Sequence, residues 1–167
     1  SNGGKPVTIA LAGGAVRVHF TEDTQRFYAY SPRLGLSSWK LDGSDQKTHL
    51  RVMGSASATS WVAMASDILL SPNGQYALAA VANQLYLINM SAVPAEQPSI
   101  NVYAPGSAYT KITTLGNDHF SWGDSKTLSW SAGNTLYRKS IDTDEVSELE
   151  ALVQQPRYTP DGVLALR

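Results

Sequence analysis

The sequence predicts an all-β fold: a partial β-propeller of four-stranded antiparallel blades, three full repeats and the start of a fourth, forming one segment over residues 1–167. Three observations predict it. Turn-forming residues recur at blade-length spacing. Short β-branched, aromatic or alternating runs follow each turn. No long amphipathic helical stretch interrupts them.

The recurrence is clearest between Leu70-Ser71-Pro72-Asn73-Gly74-Gln75-Tyr76-Ala77-Leu78 and Ser121-Trp122-Gly123-Asp124-Ser125-Lys126-Thr127-Leu128-Ser129. A shift of 51 superposes Asn73 on Asp124, Asn83 on Asn134, Leu85 on Leu136 and Tyr86 on Tyr137. Thr21-Glu22-Asp23-Thr24 lies 50 residues before Ser71-Pro72-Asn73-Gly74. Thr159-Pro160-Asp161-Gly162 opens a further copy, 37 residues after Trp122. These spacings bracket a four-stranded blade with insertions in the first two units.

Taken in order, the blades cover approximately 16–54, 66–115, 118–152 and the start of the next at 157–167. In the first, Val16 to Phe20 leads into the turn, then Arg26 to Tyr30, Gly35 to Leu41 and an outer strand Lys47 to Val52. In the second, Pro-Asn-Gly turns the chain into Tyr76 to Val81 and Gln84 to Asn89, with an outer strand at Lys111 to Thr114. Asn and Gly suit such turns because they tolerate positive φ. In the third, Thr127 to Ser131 and Thr135 to Ser140 precede Val146 to Ala151, where Glu148 to Val153 also fits a helical turn. Gly54 to Thr59 is small and polar and reads as a flexible connection. Ser91 to Tyr109, with Pro94, Pro98, Pro105 and Gly106, reads as a long excursion carrying one short strand at Ser99 to Tyr103.

Composition narrows the function. Hydrophobic residues are 43% and charged residues 16% of the chain, a folded rather than a disordered balance. Lys plus Arg is 13 and Asp plus Glu is 14, without a basic run, which argues against nucleic acid as partner. No apolar run reaches the length of a membrane span. The absence of cysteine excludes disulfides, thiolate metal sites and a cysteine nucleophile. No export signal is visible at Ser1-Asn2-Gly3-Gly4, which reads as a processed end or an expression scar.

Ile68-Leu69-Leu70-Ser71-Pro72-Asn73-Gly74-Gln75-Tyr76-Ala77-Leu78, followed by Leu85-Tyr86-Leu87-Ile88, resembles the TolB-like (WD40-like, PD40) repeat. Phe120 to Leu128 resembles a degraded copy, with Trp122-Gly123 in place of Ser-Pro and Ser125 in place of Gly. A narrower resemblance covers Thr113 to Gly116, His119 to Trp130, Gly133 to Thr135 and Pro160 to Arg167. These segments resemble the N-terminal propeller region of exported amidohydrolase-family proteins, where the propeller hands over to the hydrolase domain. The resemblance implies a periplasmic or secreted protein, with divalent metal such as zinc in the parent hydrolase domain. It implies no cofactor within this stretch. The family's catalytic His-x-His pair is missing, so no hydrolase role transfers to any residue here.

Each candidate site has a plainer reading. His19, His49 and His119 lie in different units and read as separate structural or surface histidines rather than metal ligands. Asp118, His119 and Ser121 lack the sharp exposed turn of a serine nucleophile. Asp42, Asp45, Asp142, Asp144 and Glu145 fall between third and fourth strands and read as solvated turn acids, against a carboxylate pair for glycan processing. Trp122, Trp130, Tyr76, Tyr86 and Tyr137 read as packing between blades. Asn89-Met90-Ser91 matches a glycosylation acceptor, and chance explains it. Trp61, Tyr103 and Tyr109 are the candidate interaction surface, since aromatic side chains in loops supply binding area.

No catalytic, cofactor or metal residue is assigned. Three blades and part of a fourth leave apolar faces open, so the chain is expected to be a fragment of a longer propeller, with pairing to a second copy, or curling into a less regular β structure, as the alternatives. The expected partners are another protein or the chain's own hydrolase domain. The expected role is scaffold, substrate gate or interaction surface of a larger exported amidohydrolase-like protein, with a stand-alone protein-binding module as the alternative and a glycan-processing propeller enzyme as the third.

Overall fold

The computed structural model describes Gly14, residues 16–56 and 61–150, and the backbone of two short strands at 157–158 and 164–165. The described residues form no α-helix; they are organised as antiparallel meanders. The first comprises β1 (Val16–Phe20), β2 (Arg26–Ser31), β3 (Gly35–Lys40) and β4 (Lys47–Gly54). The second comprises β5 (Ala63–Leu70), β6 (Tyr76–Val81) and β7 (Gln84–Asn89). After a short 3₁₀ turn (Met90–Ala92) come β8 (Ser99–Asn101) and β9 (Tyr109–Lys111), and β9 completes the second sheet beside β7. The third comprises β10 (His119–Trp122), β11 (Thr127–Ala132), β12 (Thr135–Ser140) and β13 (Val146–Glu150). A hairpin of β14 (Arg157–Tyr158) and β15 (Leu164–Ala165) follows. Three stacked four-stranded meanders are the arrangement of a partial propeller.

The recurring turn has a physical basis that is identical in all three units. Asp23 Oδ1 accepts from Gln25 N at 3.0 Å, Asn73 Oδ1 from Gln75 N at 3.1 Å, and Asp124 Oδ1 from Lys126 N at 2.7 Å. Each side chain mimics a backbone turn between the first and second strands. In the second unit Ser71 is fully buried and its hydroxyl accepts from Tyr76 N at 3.0 Å, closing the turn from below. The hairpins between second and third strands differ. Ala82 and Asn83 both take positive φ, 47° and 60°, as a two-residue turn matched to strand twist requires. Gly35, at φ 78°, closes the β2–β3 loop where a Cβ would strike the Leu50 carbonyl.

Packing explains the stacking. On β2, Tyr28 and Tyr30 face the second sheet, while Phe27 and Ala29 face away and pack with Trp39, the Phe27 and Trp39 rings 5.7 Å apart. β6 is buried on both sides. Ala77, Ala79 and Val81 join the core shared with the first sheet; Leu78 and Ala80 join the core shared with Phe120, Leu128 and Trp130 of the third.

Several strands depart from expectation. The outer strand of the second unit is Tyr109–Lys111, earlier than Lys111 to Thr114, because the chain meets β7 as soon as it leaves the proline-rich stretch. Within that stretch β8 pairs in parallel with β4 of the first sheet, Val52 opposite Ile100, so the excursion clamps a neighbouring outer edge. Gly54 belongs to β4 rather than to a flexible connection; residues 57–59 of that connection lie outside the described residues. Glu148 to Glu150 are strand, paired with β12, not a helical turn; the rest of that alternative, residues 151–153, also lies outside them.

His19 and His49 are not separate. They flank one tyrosine, with ring centroids 5.9 Å and 5.3 Å from Tyr28. Leu70 N donates to His19 Nε2 at 3.3 Å, which ties β1 to β5 and fixes the proton on Nδ1, facing the Arg17 carbonyl at 2.9 Å. Burial, above all, holds both imidazoles below their ordinary value of 6.5; the charge of Arg17 adds to it at His19, and those of Arg26 and Lys47 at His49. The unfolded chain therefore binds protons at a higher pH than the folded one. The stabilisation is fully present above 6.5 and is lost as pH falls from there through the depressed folded values. Urea unfolding followed from about pH 8 to about pH 5 will show a falling midpoint, with a slope of at most roughly 1.4 kcal/mol per pH unit per histidine. The double substitution His19→Gln, His49→Gln will flatten that fall; an unchanged pH profile would refute the assignment.

Candidate functional site

The first strands of the three sheets, β1, β5 and β10, come together, and the chain places its most unusual local geometry there. β1 carries a register shift between Val16 and His19, with Arg17 at φ 57°. β5 carries another between Ala65 and Asp67. A bulge re-aims side chains that regular pleating would send elsewhere. Here the two bulges bring Arg17 and Asp67 into an ion pair. The same guanidinium donates to the Phe120 carbonyl and lies 4.4 Å from the centre of the Phe120 ring. One arginine therefore joins all three sheets. Arg suits this place because its planar fork makes several hydrogen bonds and stacks on an aromatic face.

The surroundings reinforce the node. Tyr30 donates its hydroxyl proton to the Ala65 carbonyl, and burial, with a further push from the Asp67 charge, raises its pKa to about 12. On the opposite rim Glu22 N donates to the Pro72 carbonyl at 2.7 Å and Trp122 Nε1 to the Leu69 carbonyl at 3.1 Å. Beside the node opens a cleft of about 320 Å³ lined by Arg17, Asp67, Asn83, Asn117, His119 and Phe120, among others. It contains two buried polar atoms without partners, Asp67 Oδ1 and Asn117 Nδ2.

The candidate interaction residues occupy different settings. Trp61 is 81% exposed and precedes β5. Tyr103 is 45% exposed and lies against the backbone of Gly54, where an added Cβ would come within 2.7 Å of its ring. Tyr109 is half-buried; its hydroxyl donates to the Ala104 carbonyl at 2.6 Å and its ring meets Tyr86 edge-on at 6.0 Å. Burial, followed by the neighbouring Tyr103 and Tyr109, raises the Tyr86 pKa, and Tyr86, with Tyr109 packed beside it, belongs to the core shared with the first sheet.

The acid and triad candidates do not converge. Asp118 Oδ2 accepts from Gly133 N at 2.7 Å, while Ser121 donates to the Trp122 carbonyl at 3.3 Å, so neither engages His119. Asp45 pairs with Arg26 at 2.7 Å, Asp142 with Lys126 at 2.6 Å, and Asp42 caps its own turn at Ser44. Asn89 Oδ1 caps the 3₁₀ turn by accepting from Ser91 N at 3.0 Å. Among the described residues no three His, Asp or Glu side chains group to hold a metal ion. Also among the described residues, no helix is long and apolar enough to cross a membrane. Of the inter-blade aromatics, Trp130 and Tyr86 are buried, and Trp122 and Tyr137 are half-buried against the second core. Tyr76 is half-buried at the start of β6.

Sequence reasoning missed Arg17, Asp67 and Asn117. A visible signal was the charged Asp67 within Ala63 to Leu70, a strand otherwise made of apolar and small residues. Replacing Arg17 with Met will leave the Asp67 carboxylate without its cation and cost about 2–3 kcal/mol in a urea titration. The double variant Arg17→Met, Asp67→Leu will recover most of that loss, because it leaves no unpaired charge at this part-buried pair. A single variant as stable as the parent would remove the node from its structural role.

No family model matches the chain, and no curated protein matches it in sequence. Solved structures of similar shape include Kluyveromyces lactis Hsv2, with a TM-score of 0.46 at 12% identity, covering 84% of this chain and 48% of that one. A protein from Lactobacillus plantarum has a TM-score of 0.43 at 16% identity, covering 86% and 43%. The WD40 domain of SCAP from fission yeast has a TM-score of 0.34 at 14% identity, covering 81% and 31%. The chain thus spans less than half the length of each of these neighbours.

Proposed function

We propose that the chain is a non-catalytic TolB-like propeller segment of a larger exported amidohydrolase-like protein, serving it as scaffold, substrate gate or interaction surface. The observation that carries this reading is the Arg17 node. It spends the arginine and carboxylate at the meeting point of three sheets on holding them together, beside a polar cleft, and among the described residues no nucleophile or acid–base pair is assembled there. The resemblance of His119 to Trp130 and Pro160 to Arg167 to the hand-over region of such proteins supports the amidohydrolase link. On this reading the protein is periplasmic or secreted, its first partner is its own hydrolase domain, and zinc or a similar divalent metal belongs to that domain.

A second reading is a stand-alone protein-binding module that closes its ring with a second copy. Leu136 and Leu149 favour it, because they sit directly opposite each other on the third sheet's far face and are 46% and 66% exposed. Sequencing the reading frame on both sides separates the two. The first reading expects a His-x-His strand motif within about a hundred residues downstream, one domain's reach. A frame that stops near Arg167 would overturn it. The second then expects a concentration-dependent dimer that Leu149→Lys abolishes.

A further inference from the structure

Asn73 and Gly74 lie in the β5–β6 turn, and the dipeptide they make is chemically labile. An asparagine loses ammonia when the main-chain nitrogen of the next residue attacks its side-chain amide carbon. Glycine in that next place has no Cβ to shield its nitrogen. Asn73 and Gly74 are half-buried and Gln75 is exposed, so water reaches the turn. Asn2-Gly3, the other such pair in the sequence, lies outside the described residues.

The turn holds the attacking atom away from this reaction. Gly74 N donates to the Ser71 carbonyl at 2.9 Å. To attack, the nitrogen must give up the proton it directs at Ser71, and a hydrogen bond made by the protonated form opposes that loss. The amide under attack is fixed as well. Asn73 Oδ1 accepts from Ser71 Oγ at 2.8 Å and from Gln75 N at 3.1 Å, while Nδ2 donates to Gln75 Oε1 at 3.1 Å. Ser71 is itself fully buried, and its hydroxyl accepts from Tyr76 N at 3.0 Å, which ties these bonds to the start of β6. Two donors on Oδ1 polarise the carbonyl, but polarisation has no effect until Gly74 N is released.

We propose that Asn73–Gly74 is a site of spontaneous deamidation that the β5–β6 turn holds in check, reacting only when the bond from Gly74 N to the Ser71 carbonyl opens. In the first step the bond from Gly74 N to Asn73 Cγ forms and the Cγ–Nδ2 bond breaks. Ammonia leaves, carrying the proton from Gly74 N. Water then opens the cyclic imide. Opening at Cγ restores the main chain and leaves an aspartate in place of the asparagine. Opening at the main-chain carbonyl carbon routes the chain through Cβ and Cγ instead. The fold accepts the first product, because Asp23 and Asp124 already make the same turn bond in the other two units, at 3.0 Å and 2.7 Å. The second adds a methylene to the main chain of a turn whose length is set by the pairing of Leu70 with Ala77. Neither product depends on what the flanking reading frame encodes.

The test follows the full chain by mass spectrometry during incubation in mildly alkaline buffer, once folded and once in guanidinium chloride. Cleavage after lysine and arginine places Asn73 and Asn2 in different peptides. The readout is the rate at which the Asn73 peptide gains the mass of an amide turned to acid. In the unfolded chain Asn73 will react ahead of Asn83, Asn89 and Asn101 in the same peptide. In the folded chain it will react about tenfold or more slowly, as a turn that must open first requires. Ser71→Ala removes the hydroxyl that anchors the turn and will move the folded rate toward the unfolded one. Equal rates in the two states would overturn the proposal. So would a faster folded rate, or a folded Ser71→Ala chain no faster than the parent, since either would make the donors on Oδ1 an activating device or an irrelevant one. No conversion at Asn73 in the unfolded chain would remove the site itself. The comparison of folded with unfolded parent chain needs no variant, so it decides the matter whether or not Ser71→Ala folds.

Discussion

The central strand β6 of the second sheet has no surface to give to solvent. Ala77, Ala79 and Val81 on one side of β6, and Leu78 and Ala80 on the other, are all buried. A strand that is apolar on both faces stays soluble only between two other layers. Everything else follows from that constraint. The first sheet must offer Tyr28, Tyr30, Leu50 and Val52 to one face, and the third must offer Phe120, Leu128 and Trp130 to the other. Alanines at three of five positions let the neighbours approach closely, and the bulk of the contact comes from the tyrosines and tryptophan on the flanking sheets.

Face-to-face packing alone does not set the angle between sheets, because apolar contact is non-directional. Directional bonds between the first strands do. Arg17 reaches Asp67 and the Phe120 carbonyl at one end, and Glu22, Trp122 and the Pro72 and Leu69 carbonyls are engaged at the other. His19, bonded to Leu70 N, lies between. The histidine works only as a neutral acceptor, which is why burial and the adjacent guanidinium, both disfavouring its cation, reinforce the geometry they accompany.

How far this was legible in the sequence depends on range. Asp23, Asn73 and Asp124 are local devices, each bonding two residues ahead, so their recurrence shows directly in the chain. The sheet class and the strand pairs around those turns follow from them. The partner of β8 does not, because pairing with β4 joins residues about fifty positions apart with no pattern to announce it. The same holds for Arg17 and Asp67. Their meeting depends on two bulges, and a bulge shifts the side-chain alternation that sequence reading relies on. Loop position and aromatic character single out Trp61, Tyr103 and Tyr109. Those properties say nothing of the Tyr86 ring or the Gly54 backbone beneath two of them.

Several exceptions to local rules meet at one point, while others, such as Asp45 at positive φ and the register shift between Leu36 and Ser37, lie elsewhere in the first sheet. A non-glycine residue at positive φ, two bulged strands, a carboxylate with one oxygen unpaired and a buried amide with its donor unpaired all occur at one point. Each is unfavourable by itself, and structures tolerate them where surrounding packing over-determines the conformation. The node supplies that over-determination, since Arg17 cannot move without releasing Asp67 and the Phe120 carbonyl together.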